Sequence, residues 1–232
     1  MKMFIDPLYL MLMIPGLLLA TWASISVKSA FAKYSQVRAS SGMTGADVAA
    51  EILQRNHIFD VTVEESHGFL SDHYDPRSRT VRLSPAVYRE ASVASVAIAA
   101  HEVGHALQHA KAYAPLQLRS MAVPLARFGS YAPWIILIGG FILHSLELVY
   151  VGIALFAVTV LFQLITLPVE FNASRRAHAQ LETLGLVSRD DAKGVRKVLS
   201  AAAMTYVAAA ISALLTLLYY LIRLGLIGNR RS

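Results

Sequence analysis

Hydrophobic and polar residues in this chain are segregated into blocks. Four stretches are long and nearly free of charge: about Leu8 to Val27, and then residues 128–146, 148–169 and 198–222. A helix needs about 20 apolar residues to cross a hydrocarbon core, so each stretch predicts a transmembrane helix. The first is too long for a signal-peptide core, has no basic start beyond Lys2 and lacks a clear small-x-small cleavage site. It reads as an anchor, bent at Pro15-Gly16. Tyr131-Ala132-Pro133-Trp134 is placed to cap the second stretch and shorten it. The turn at His144-Ser145-Leu146-Glu147 is tight, so the second and third stretches form a helical hairpin.

The blocks between them carry other periodicities. Thr44 to Gln54 has Ala49, Ile52 and Leu53 on one face, the pattern of an amphipathic helix. Val61-Thr62-Val63 and Thr80-Val81-Arg82-Leu83 have strand character, with the turn-rich residues 72–79 between them. A β-hairpin or small sheet is expected. Ser84-Pro85 reads as an N-cap followed by proline at the first helical position, opening a short helix and then a long one. Internal repeats and low-complexity segments are absent from the sequence. The fold class predicted is a mainly α integral membrane protein, with about four transmembrane helices and a small α+β cytosolic region. Its divisions are an anchor (1–27), a water-facing region (28–126), a transmembrane hairpin (127–169), a cytosolic helix (170–197) and a last transmembrane helix with tail (198–232).

Composition agrees: 56% hydrophobic residues, 16% charged and a mean hydropathy of +0.51 lie beyond an ordinary soluble domain. The net charge of +6 fits the positive-inside bias of membrane proteins. No basic stretch is interleaved with aromatics as a nucleic-acid groove requires, so no nucleic-acid partner is expected. Zero cysteines exclude disulfides and thiolate ligands, leaving His, Asp and Glu for any metal.

The chemistry lies in Ala100-His101-Glu102-Val103-Gly104-His105-Ala106, which contains His-Glu-x-x-His. Residues four apart share a helix face, so His101 and His105 can offer both imidazoles to one zinc. Glu102 is turned to the flank of that face, where it can take a proton from a zinc-bound water. The run Val93 to Ala100 is small and apolar, as a buried helix requires. Gly104 costs about 1 kcal/mol in a helix interior, a cost explained if another segment packs there. The alternative is a core helix with two structurally satisfied histidines. Catalytic zinc takes three protein ligands. His109 can pair with His105 but lies about 12 Å along the axis from His101, and nothing in their spacing marks His57, His67 or His73. Glu170 is the better candidate. Two spans separate it from His105, which puts both on one side of the membrane; the alternative is an interfacial Glu paired with Arg175 or Arg176. Pro168 favours the start of a fresh helix there.

Three segments together carry a resemblance: His101 to Gln108; Asp72 to Ser78 with Thr80 to Ser84; and Pro168-Val169-Glu170-Phe171 with Ala173 to Arg176. Over nearly the whole chain they resemble the YugP-type family of neutral zinc metallopeptidases, distantly similar to membrane gluzincins of the HtpX type. The resemblance implies a membrane-embedded zincin-like peptidase with one zinc ion, held by His101, His105 and Glu170. Such relatives often carry an Asp four residues after the ligand Glu, orienting the first His; this chain has Ser174 there, so Asn172 or an Asp elsewhere can take the role.

Glu102 is then the general base. His178, eight residues after Glu170 on a similar helix face, is a candidate oxyanion donor, with Tyr113, Tyr74 and His73 as alternatives. The strand at 80–83 can bind substrate by strand addition or serve only as structure. Expected partners are a protein or peptide substrate, the lipid bilayer and a scaffold or regulatory membrane protein. Arg175, Arg176, Arg189, Lys193, Arg196 and Lys197 outnumber Arg230 and Arg231, which places the site on the cytoplasmic side with both termini outside; the resemblance implies that the membrane is a bacterial inner membrane. Two rival functions remain: a non-enzymatic assembly or regulatory protein retaining the zinc site, and a metal transporter or sensor. The latter requires ionisable residues within the spans, where only His144, near a span end, is a candidate.

Overall fold

A computed structural model describes residues 6–68 and 71–227, with backbone only at 127–130. Lys2, Arg230 and Arg231 lie outside the described residues. The elements are α1 (Pro7–Ser35), α2 (Gly45–Arg55), β1 (Thr62–Glu65), β2 (His73–Asp75), β3 (Thr80–Leu83), α3 (Pro85–Arg89), α4 (Val93–Ala110), α5 (Ala114–Ile142), α6 (Leu146–Thr183) and α7 (Arg189–Arg223). They pack as two units. One holds Met1–Trp22, Leu118–Leu167 and Thr205–Ser232; the other holds Ala23–Gln117 and Pro168–Met204.

The first unit contains most of the apolar stretches. Among the described residues, α1, α6 and α7 are long and apolar enough to cross a membrane. The expected second span takes a different form. Its helix begins at Ala114, soon after α4, and is bent by 42° between Ala114–Ala126 and Tyr131–Ile142; the bent pair counts as a fourth span only if taken together. Pro133 lies inside the second part and does not cap it. Its missing N–H leaves the carbonyl of residue 129, within the bend, without its helical partner. Proline alone does not end a helix in this chain. α1 runs through Pro15-Gly16 to Ser35, past the expected end at Val27. α6 runs through Pro168, so no fresh helix starts there. Leu137, Val149, Ile153, Tyr219 and Tyr220 form the unit's buried cluster, and Leu17, Leu18 and Ile135 are about two-thirds exposed. An apolar surface of that kind suits hydrocarbon better than water.

The second unit has an ordinary hydrophobic core. α2 starts with a capping box: Thr44 Oγ1 accepts from Asp47 N (3.1 Å), and Asp47 Oδ2 accepts from Thr44 N (2.9 Å). Its buried face is Val48, Ala49, Ile52 and Leu53. The sheet is three-stranded in the order β1-β3-β2, with β1 parallel and β2 antiparallel to β3. The hairpin therefore joins β2 to β3, and part of the turn-rich stretch is itself a strand. Thr80–Leu83 lies in the centre with both edges occupied, so it cannot accept a further strand; the free edges belong to β1 and β2. Ser84 stands at the N-cap position of α3 without capping it. Its hydroxyl is engaged by Asp72 instead (3.0 Å). Ser92 caps α4 by accepting from Ser95 N (3.1 Å). The small side chains of α4 are almost wholly buried against α2, α3 and the sheet.

Candidate metal centre

α4 and the polar half of α6 meet at a contact that only glycine permits. A Cβ on Gly104 would lie 2.6 Å from the carbonyl oxygen of Ala173. This is the packed segment that the glycine implied, and it brings Glu170, one turn before Ala173, onto the histidine face of α4. Glu170 Oε2 lies 3.2 Å from His101 Nε2 and 3.5 Å from His105 Nε2. Ligand atoms from the three residues all lie within 4.8 Å of one another. Metal–ligand bonds of about 2.0–2.1 Å at tetrahedral angles place ligand atoms about 3.3 Å apart, so the spacing fits zinc.

The outer ring nitrogens explain why these atoms face one another. His105 Nδ1 pairs with Gln108 Oε1 (3.0 Å), while Gln108 Nε2 donates to the Val169 carbonyl (2.8 Å) and to Asn172 Oδ1 (3.1 Å). With both amide hydrogens committed, the oxygen of Gln108 must face the imidazole, so Nδ1 carries the proton and Nε2 keeps its lone pair. His101 Nδ1 pairs with the Ser174 hydroxyl at 3.1 Å, which can fix the same tautomer. Two lone pairs and a carboxylate oxygen then converge, a donor set that a cation satisfies. Asn172 also accepts from Arg176 Nε (2.7 Å), and Arg176 lies over the Tyr113 ring. Ser174 thus sits at the first histidine, and Asn172 acts one step removed, through Gln108. Sequence reading missed Gln108, although its position three residues after His105 put it on the same face.

Electrostatics separate the two carboxylates. Burial pushes Glu170, in the polar part of α6, upward, but its bonds to the two imidazoles outweigh that and hold it well below the usual carboxylate range. Glu102 is pushed up to about 7, chiefly by burial; His101 opposes the shift, Glu170 and Asp72 add to it and His73 opposes it.

The other candidates lie elsewhere. His178 is not brought to the histidine–carboxylate cluster. Its Nδ1 pairs with Glu182 (3.1 Å), its Nε2 is buried without a partner, and it lines a cavity between α6 and α7. Eight residues along a helix amount to slightly more than two turns, enough to rotate it away. Tyr74 is bonded to His109 Nδ1 (2.7 Å), and Tyr113 donates to the Pro168 carbonyl (3.5 Å). His73 is exposed on the edge strand β2, with Nδ1 2.7 Å from the Ser71 carbonyl.

No solved structure matches the chain. It is 50% identical over 213 residues, 92% of its own length and 95% of the relative's, to the "Putative membrane protease YugP" of Bacillus subtilis (strain 168). Residues 9–225 match the family described as "Putative neutral zinc metallopeptidase", and the chain belongs to that family.

Proposed function

We propose that this protein is a membrane-integral zinc endopeptidase in which His101, His105 and Glu170 hold the metal and Glu102 is the general base. The observation that carries this reading is the convergence of two imidazole Nε2 atoms and Glu170 Oε2 while each Nδ1 is engaged from behind. Zinc bound there supplies a Lewis acid that lowers the pKa of water toward 7 and polarises the scissile carbonyl. Glu102, one residue from His101 and buried, takes the proton of the attacking water and returns it to the leaving amine nitrogen. Of the oxyanion candidates His73 is the one retained, since its ring is exposed on β2, the strand beside α4.

β2 is an edge strand beside α4. An extended substrate pairs with its free backbone groups, which selects unfolded or extended segments over folded domains. The basic residues of 170–197 support a site on the cytoplasmic face of a bacterial inner membrane, with membrane or membrane-proximal proteins as the substrate class. The test is digestion of an unfolded protein by the zinc-loaded enzyme in detergent. Glu102→Gln keeps its zinc and loses cleavage by at least about a hundredfold. Undiminished cleavage by that variant would end the general-base assignment.

A further inference from the structure

Behind Ser174, on the side of His101 away from the proposed metal ligands, α6 and α7 enclose a cavity of about 530 Å³. It is built with a polarity gradient. Arg175 and Arg196 line it, both exposed and neither in any ion pair or hydrogen bond among the described residues. His178 lies between them in the sequence of the lining, its buried Nε2 without a partner; Glu182, bonded to its Nδ1, is the lining carboxylate. Apart from Ser174 and Ser200 the rest is apolar, chiefly Phe171, Leu199 and Met204. The gradient follows the helices. Phe171 is the lining residue nearest in sequence to the charge-free stretch of α6, and Leu199, Ser200, Ala203 and Met204 lie inside that of α7, whereas Glu182 is furthest from the one and Arg196 lies outside the other.

Two guanidiniums without partners and a ring nitrogen with no partner call for an anion with several acceptor oxygens. Guanidinium binds phosphate with two parallel N–H bonds. The apolar wall that continues toward two membrane-spanning stretches calls for a hydrocarbon chain attached to that anion. We propose that the cavity binds one anionic phospholipid, its phosphate on Arg175, Arg196 and His178 and an acyl chain along Phe171, Leu199 and Met204. Basic pockets between transmembrane helices suit such headgroups. The Ser174 hydroxyl that holds His101 Nδ1 also lines this cavity, so a bound lipid touches a residue that orients the proposed ligand. The lipid site does not depend on the peptidase reading.

The test is native mass spectrometry of the delipidated full-length protein in a neutral detergent, titrated with phosphatidylglycerol, phosphatidylcholine or inorganic phosphate. Phosphatidylglycerol is expected to be retained at one per chain, at least about tenfold more tightly than phosphatidylcholine. Arg175→Ala/Arg196→Ala should lose about tenfold or more of that retention, Arg175→Lys/Arg196→Lys should keep most of it, and Arg189→Ala/Lys193→Ala, outside the cavity, should leave it unchanged. Equal retention of the two lipids, an unaffected Arg175→Ala/Arg196→Ala protein, or the same loss in Arg189→Ala/Lys193→Ala would overturn the assignment. Displacement of the lipid by inorganic phosphate at equimolar concentration would do so too, by showing that the chain is not recognised.

Discussion

Replacing Gly104 by alanine adds one methyl group at the contact on which the proposed metal centre rests. The new Cβ meets the Ala173 carbonyl oxygen at 2.6 Å, whereas ordinary contact begins at 3.4 Å. α4 and the polar half of α6 must therefore part by about 0.8 Å, the difference between those distances. Glu170 lies on α6 within one turn of Ala173 and shares the displacement, while His101 and His105 stay on α4. Metal sites hold their distances to about 0.2 Å, so the shift is several times what the ligand set absorbs. Overpacking costs about 1–3 kcal/mol, and alanine recovers about 1 kcal/mol of helix propensity. Overall stability thus falls by at most about 2 kcal/mol, while zinc affinity falls by about tenfold to a hundredfold. Titration of the purified protein against a chromophoric chelator measures the affinity. Gly139→Ala, where nothing lies within 4 Å of the new Cβ, is the control and should bind zinc as the wild type does. A Gly104→Ala protein that folds and binds zinc within twofold of wild type would refute the reasoning.

Gln108→Leu removes the partner of His105 Nδ1 and the bonds that tie it to the Val169 carbonyl and Asn172. Zinc affinity should drop by about 10–100-fold, and an unchanged chelator titration would show that the tautomer is set by something else. Ser174→Ala should weaken zinc less than Gln108→Leu, because a hydroxyl at 3.1 Å is a single bond and Gln108 ties together three groups; the reverse order would contradict the network. Asp191 accepts from Ser40 N (3.0 Å) and Ser188 N (3.2 Å). Burial pushes its carboxyl up, but the bonds to Ser40 and Ser188 outweigh this and leave it below 3.8. Folding therefore favours the ionised form, whose contribution is complete above 3.8 and fades as pH falls through the lower folded value. The Tm advantage of wild type over Asp191→Asn should be constant near neutral pH and shrink below about pH 4; an advantage that persists undiminished to pH 3 would show that the charge is irrelevant.

The sequence showed the apolar blocks, the amphipathic face of α2 and the helix pair around Ser92, because each depends on local periodicity. His101, Glu102 and His105 were legible for the same reason. Glu170 needed a different signal, the parity of the membrane spans, and the structure brings it to the two histidines. Helix boundaries at proline were misread: Pro133, read as a cap, and Pro168, read as a helix start, both sit inside helices, where long apolar segments outweigh one lost hydrogen bond. The order of the sheet was hidden because β1 pairs in parallel with β3 across an intervening strand, a contact that no turn residue announces. His178 was placed by counting turns from Glu170, and the residual rotation after eight residues carries it to another cavity. Gln108 was passed over because glutamine is not a ligand; its role comes from the proton it fixes on a neighbour.

The central claim is that one zinc is held by His101, His105 and Glu170. The most direct test is elemental analysis of the detergent-purified wild-type protein beside His101→Ala and Glu170→Ala, each after zinc loading and removal of free metal. The account predicts about one zinc per wild-type chain and nearly none in either variant. A wild-type protein without zinc, or a Glu170→Ala protein that keeps the full complement, would contradict it.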